Sequence, residues 1–294
     1  MKFDRSLDVP AGLEVRLSPL VSRVLAPNPG PFTFRGTGVY IVGGQNVAVI
    51  DPGPAIPTHI DNLKRVLGAR RISHILVTHT HRDHSPAAQA LKVWSGAKTY
   101  GLPLQTRTSV ANSQEGMADE AHDHDFVPDI MVKDGLRIQG DDYALECVAT
   151  PGHTANHICY ALIQERALFS GDHVMGWSTS VIAPPDGDMG AYLASLEALT
   201  ARDDRIFYPT HGSPVADPGG WLGELIAHRR LRESQIVDAL AGGMTTVLEL
   251  TRRLYPGIEP ALGAAAAQQV AAHLEHLHSR GGVVQDGARW QLKI

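Results

Sequence analysis

Short apolar runs recur along this chain, and one after another ends in a histidine or an aspartate. Residues 13–25 alternate loosely before a stretch rich in turn formers, Pro27, Pro29, Gly30 and Pro31, and predict a strand entering a loop. Val39-Tyr40-Ile41-Val42 and Val47-Ala48-Val49-Ile50 flank Gly43-Gly44-Gln45-Asn46, which predicts a hairpin whose second strand ends in Asp51. Helical periodicity covers residues 57–67 and stops at Gly68, and a strand is expected over 72–78. After it, Ser85 is expected as a helix N-cap, Pro86 as the first helical residue and Gly96 as the terminator.

The pattern repeats further on. Strands are expected over 136–138, 143–149, 158–163, 167–170 and 205–208, with a helix over 189–199. Three of these strands deliver His153, Asp172 and His211 beside glycine or proline. Strand, helix, strand, helix with polar groups at strand ends is a layered α/β arrangement. The tail differs: helices over 221–240, 245–254 and 261–277 precede a hairpin around Asp286-Gly287. Residues 1–227 and 228–294 are expected as two units.

The densest chemistry is Thr78-His79-Thr80-His81-Arg82-Asp83-His84-Ser85, directly after an apolar run. Alternation along an extended chain puts His79 and His81 on one face. Imidazole and carboxylate groups are ligands that zinc and similar cations accept. His122 and His124 fall in the polar stretch 105–129; they could hold a further ion, but a solvated loop is the better reading, and the segment is expected to act as a lid or specificity loop.

Composition narrows the partners. With 294 residues, 43% hydrophobic and 19% charged, the chain is long enough for one large domain and a small one. A net charge of -5 supplies no basic field for nucleic acid. Two cysteines cannot form a disulfide scaffold, and neither a signal peptide nor a membrane span is apparent, so a cytoplasmic protein is expected.

Taken in order, His79-X-His81-X-Asp83-His84, His153 in Gly-His-Thr, Asp172 in Ser-Gly-Asp and His211 in Pro-Thr-His-Gly resemble the metallo-β-lactamase superfamily. Asn28-Pro29-Gly30-Pro31 and His228-Arg229-Arg230-Leu231-Arg232-Glu233 look like its lactamase-beta-like subgroup, related to glyoxalase II. The resemblance implies an α+β protein, an αββα sandwich with a small C-terminal winged-helix domain. It implies that His79, His81 and His153 hold one divalent ion, that Asp83, His84 and His211 hold another, and that Asp172 bridges them. Zinc is expected, with iron or manganese also compatible with these donors. Asp51 would stand behind the ligands and orient them, or simply form the turn before Pro52-Gly53.

Such a pair of ions implies a hydrolase in which a bridging hydroxide attacks, with Asp83 orienting the nucleophile and passing a proton. The expected substrate is a small ester, thioester or lactone. The superfamily's true β-lactamases generally lack the bridging aspartate, so Asp172 points away from antibiotics. The alternatives are an endoribonuclease acting on single-stranded RNA and a winged-helix regulatory protein with a vestigial site. From Arg229 onward, eight Lys/Arg face six Asp/Glu and the third tail helix is alanine-rich, a poor footprint for nucleic acid. The tail is therefore expected beside the cleft, shaping access or oligomer contacts. Tyr208 is weighed between substrate contact and strand packing, and Arg82 between steering an anion and plain solvation.

Overall fold

The computed structural model describes residues 1–104 and 121–293, so most of the expected lid segment, 105–120, lies outside the described residues. The first sheet takes its strands in sequence order: β1 (Glu14–Arg16), β2 (Val21–Leu25), β3 (Gly38–Val42), β4 (Asn46–Ile50), β5 (Arg71–Leu76), β6 (Lys98–Gly101) and β7 (Ile130–Met131). Pairing is antiparallel from β1 to β4 and parallel from β4 to β7. Helices α1 (Pro57–Leu67) and α2 (Ala87–Ser95) make two of the parallel crossovers. The second sheet contains β8 (Arg137–Gln139), β9 (Ala144–Ala149), β10 (Ile158–Leu162), β11 (Ala167–Gly171) and β12 (Ile206–Pro209), in the order β12-β11-β10-β9-β8. Helix α3 (Met189–Thr200) lies between β11 and β12, which pair in parallel.

Side-chain alternation assigns each face a layer. Tyr40, Val42 and Ile50 of the first sheet pack against Leu145, Cys147, Tyr160 and Phe169 of the second. Their neighbours Val39, Ile41 and Val49 point the other way, onto Leu63 and Leu67 of α1 and Leu91 of α2. On the far side, Cys159, Ala161, Leu168 and Phe207 meet Tyr192, Leu196 and Leu199 of α3. Helix, sheet, sheet, helix is the expected αββα sandwich. Each fully buried aliphatic side chain contributes about 1.5–3 kcal/mol relative to exposure.

Two local expectations need correction. Residues 13–25 are two strands, because Pro19 cannot extend a ladder and the chain doubles back, with Leu17 N–H donating to the Val21 carbonyl. Helix α2 starts at Ala87 with Pro86 already helical, and Ser85 does not cap it. Its hydroxyl donates instead to Asp123 Oδ2 at 2.6 Å, tying the histidine loop to the segment after residue 120. Gly96 does end α2 in the left-handed region, at φ +73°.

The tail comprises α4 (Pro218–Ala241), α5 (Val247–Leu254), a 3₁₀ turn at Pro260–Leu262, α6 (Gly263–Ser279), and the hairpin strands β13 (Val283–Asp286) and β14 (Arg289–Leu292). A reciprocal cap starts α5, Thr246 accepting from Glu249 N–H while the Glu249 carboxylate accepts from Thr246 N–H. Helix α4 serves two cores: Leu222 and Leu225 join the α3 layer, Ile236 and Leu240 the tail core with Leu250, Leu274 and Trp290. Among the described residues, no helix is long and apolar enough to cross a membrane.

Candidate metal centre

Five strand-end loops, from both sheets, converge on one spot. Asp51 follows β4, residues 78–85 follow β5, residues 150–154 follow β9, Asp172 follows β11 and His211 follows β12. The sandwich brings the seven expected ligands together in the groupings His79/His81/His153, Asp83/His84/His211 and His79/His84/Asp172, with donor atoms within 4.8 Å of one another in each. All seven are buried.

Hydrogen bonds behind the rings decide which nitrogens face inward. Thr78 Oγ1 donates to Asp51 Oδ2 at 2.8 Å, so at 3.0 Å from His79 Nδ1 it accepts, and Nδ1 carries the proton. His153 Nδ1 donates to the Val181 carbonyl at 2.6 Å, and His211 Nδ1 to the Gly36 carbonyl at 3.3 Å. His84 Nδ1 donates to Asp51 Oδ2 at 2.9 Å. These tautomers follow from the network and leave the Nε2 atoms turned toward the centre. His81 presents Nδ1 there, 3.0 Å from His79 Nε2 and 3.2 Å from His153 Nε2.

Asp172 Oδ2 stands between the two groups, 3.5 Å from His84 Nε2, 3.5 Å from His211 Nε2 and 3.9 Å from His153 Nε2. Asp83 Oδ2 lies 3.1 Å from His211 Nε2 and 3.3 Å from His84 Nε2. The residues fit a pair of cations on three counts. The His79 and His153 lone pairs meet at His81 with room for at most one proton. His84 Nε2 and Asp172 Oδ1 are buried without a hydrogen-bond partner. And mixed imidazole and carboxylate donors are what zinc, iron and manganese accept.

The electrostatics divide the same way. Burial and neighbouring imidazoles hold His79 and His81 well below the usual histidine pKa, and burial also lowers His153, so all three are neutral with lone pairs available. Burial acts to lower His84 and His211 too, but the adjacent carboxylates override it. Asp83, Asp172 and Asp51 raise His84 well above the usual value, and Asp172 and Asp83 push His211 to about 10. Burial would raise Asp172, yet His211 and His84 pull it well below the carboxylate range. Those imidazolium protons occupy the place that cations would take.

Several supporting residues carried no sequence signal. Thr37 Oγ1 donates to Asp83 Oδ2 at 3.0 Å and accepts from Asn28 Nδ2 at 3.0 Å, which gives the Asn28-Pro29 loop a task. His157 is buried against His79, their rings 5.1 Å apart, and its Nε2 accepts from Asp172 N–H at 3.3 Å. Gly152, before His153, has φ +143°, and a Cβ there would fall 2.3 Å from the Tyr192 Cα, so the turn requires glycine.

The structure decides between two readings of Tyr208 and changes that of His122. Tyr208 is buried between the sheets against Tyr40 and Phe169, so it packs and does not reach substrate. His122 is not a solvated loop residue: it is mostly buried, its ring 5.0 Å from that of His81 and its Nε2 3.6 Å from Asp186 Oδ2. Ser85 serves as a loop tie, as described. Arg82 is exposed between His81 and Asp83, and His173 is buried against Tyr192 with its pKa driven down to about 3 by burial.

Comparison with known proteins agrees with this geometry. Residues 33–211 match the metallo-beta-lactamase superfamily, and residues 246–290 match the beta-lactamase associated winged helix domain. The chain belongs to the metallo-beta-lactamase superfamily of hydrolases, with that winged-helix domain appended. It is 32% identical to a beta-lactamase-like protein 2 homolog from Caenorhabditis elegans, over 92% of this chain and 88% of that one. It is 33% identical to an atrochrysone carboxyl ACP thioesterase from Paecilomyces divaricatus, over 76% of this chain and 66% of the relative. The chain thus spans just under two thirds of that thioesterase's length. A metallo-beta-lactamase family protein from Thermus thermophilus shares the fold, with a TM-score of 0.80 at 21% identity over 95% of this chain and 100% of the other.

Proposed function

We propose that the chain is a dinuclear, zinc-dependent hydrolase of small acyl compounds, with thioesters first among esters, thioesters and lactones. The observation that carries the reading is the convergence of five imidazoles and two carboxylates on one buried spot with their inner nitrogens and oxygens facing one another. His79, His81 and His153 would hold one ion, Asp83, His84 and His211 the other, with Asp172 between them. Bound there, a pair of divalent ions would supply an activated water and a Lewis acid for the carbonyl oxygen.

The chain's own residues provide the rest. Asp83, its Oδ2 held by the Thr37 hydroxyl, is the carboxylate placed to take a proton and return it to the leaving group. Neither cysteine acts as a nucleophile, because both are buried and burial pushes their thiols up to about 12. Two such unpaired thiols accord with a reducing, cytoplasmic setting.

On the substrate side, a cleft of about 180 Å³ opens directly onto His153 and Asp172. Trp177, Tyr255, Ile258, Leu262 and Ala266 give it apolar walls suited to an acyl group. A thioesterase name among the relatives points the same way.

The test is metal analysis of the purified protein together with turnover of a thioester, ester and lactone panel, before and after chelation. Two zinc ions per chain and chelator-sensitive thioester turnover are expected. Cleavage of unstructured RNA without acyl turnover would move the reading to the ribonuclease alternative.

A further inference from the structure

Three consecutive residues beside the centre are each tied to something different. Ser180, Val181 and Ile182 run between the metal-ligand loops and the tail helices. The Val181 carbonyl fixes His153 by accepting from Nδ1 at 2.6 Å. On one side of it, the Ser180 carbonyl accepts from Arg229 Nη2 of α4 at 2.6 Å. On the other, Ile182 N–H donates to Gln269 Oε1 of α6 at 2.7 Å. Gln269 thus holds the peptide that carries the Val181 carbonyl, and Arg229 holds the peptide before it.

Neither side chain is a surface accessory. Arg229 is buried to 1% exposure, the largest fully buried side chain among those described, and its guanidinium lies 5.1 Å from the Tyr192 ring centroid. Gln269 is buried and also borders the acyl cleft. A buried guanidinium is costly to desolvate, and a hydrophobic residue of similar volume would fill the space at less cost. What a hydrophobic residue could not do is hold a carbonyl in one direction. The same strap is fastened to the centre itself, since Ser180 Oγ lies 2.6 Å from the Asp172 carbonyl and 2.8 Å from the His173 carbonyl.

We propose that Arg229 and Gln269 are positioning residues for the metal ligand His153, so that the tail helices complete the hydrolytic site. This rests on the metal-centre reading above. A loosened strap would free the His153 ring to rotate and to exchange its tautomer. Removing such orienting partners lowers metal affinity by about 10- to 100-fold.

The test uses the full chain and Zn²⁺ in competition with a chromophoric chelator, on wild type, Gln269→Leu, Gln269→Glu and Arg229→Met. Wild type is expected to bind two ions. Gln269→Leu should weaken one of them by about 10- to 100-fold and spare the other. Gln269→Glu, which keeps an acceptor for Ile182 N–H, should restore it. The ¹⁵N shifts of His153 in the metal-free protein should change from a single Nδ1–H tautomer in wild type to a mixture in Gln269→Leu. Arg229→Met should behave like Gln269→Leu, and if it does not fold, Gln269→Leu decides alone. Wild-type affinities in Gln269→Leu, or equal weakening of both ions in step with the melting temperature, would overturn the positioning role. A wild-type protein that binds no zinc would overturn the metal reading along with it.

Discussion

Asp51 Oδ2 lies 2.9 Å from His84 Nδ1, and the same carboxylate accepts from Thr78 N–H at 2.8 Å, Thr78 Oγ1 at 2.8 Å and Thr210 Oγ1 at 2.9 Å. One buried group therefore ties the ends of β4, β5 and β12 to the His84 ring. Its φ of +50° is a conformation that a non-glycine residue holds only when its surroundings insist. Asp51→Ala should lower zinc affinity by about 10- to 100-fold. It should also destabilise the metal-free chain by about 3–5 kcal/mol, because partners of a buried charge are left bare. Chelator competition and denaturant titration check the two effects separately.

Asp172 touches imidazoles from both candidate groups. Asp172→Asn keeps its size and removes its charge, so zinc content after dialysis should fall from two ions per chain toward one. Hydrolysis should drop by about 10- to 100-fold at saturating metal. Metal analysis of the dialysed variant reads the first effect directly.

Ala266 lines the cleft on α6. Ala266→Phe would fill part of it, so kcat/KM for bulky acyl thioesters should fall by about 10- to 200-fold while acetyl thioesters are spared. Equal losses on both would place the acyl group elsewhere.

Away from the centre, Asp129 clips α2 to β6. Lys92 Nζ donates to its carboxylate, and so do Thr99 N–H at 2.9 Å and Thr99 Oγ1 at 3.0 Å. The Lys92 hydrogen bond, followed by those of Thr99, lowers its pKa to about 2. A depressed carboxylate pKa stabilises the fold above the unfolded value of about 3.9, and that contribution is lost as pH falls toward 2. Asp129→Asn should therefore narrow the stability gap between pH 5 and pH 2 relative to wild type, read from melting temperatures at each pH.

Cys147 and Cys159 should resist thiol reagents in the native protein and react only on unfolding, since burial holds both thiols up at about 12. A labelling time course with and without denaturant checks this.

The layers and the dense histidine cluster were legible in the chain because each rests on local chemistry. Alternation in Val39–Val42 sets a strand's two faces, and His79, His81, Asp83 and His84 lie within six positions. What stayed hidden was chemistry made by distant segments. Thr37 meets Asp83 across 46 residues and Gln269 meets Ile182 across 87, and no spacing rule carries such contacts. Ser85 misled for a related reason: its local signal as a helix cap lost to a tertiary bond with Asp123. His122 looked solvated because only the fold brings it beside His81.

Helix α4 lends its first half to the sandwich and its second half to the tail, with Arg229 between them. A single rigid rod shared in this way makes the two cores mechanical neighbours. A substitution that loosens the packing around Trp290 is therefore expected to disturb the same helix that carries Arg229.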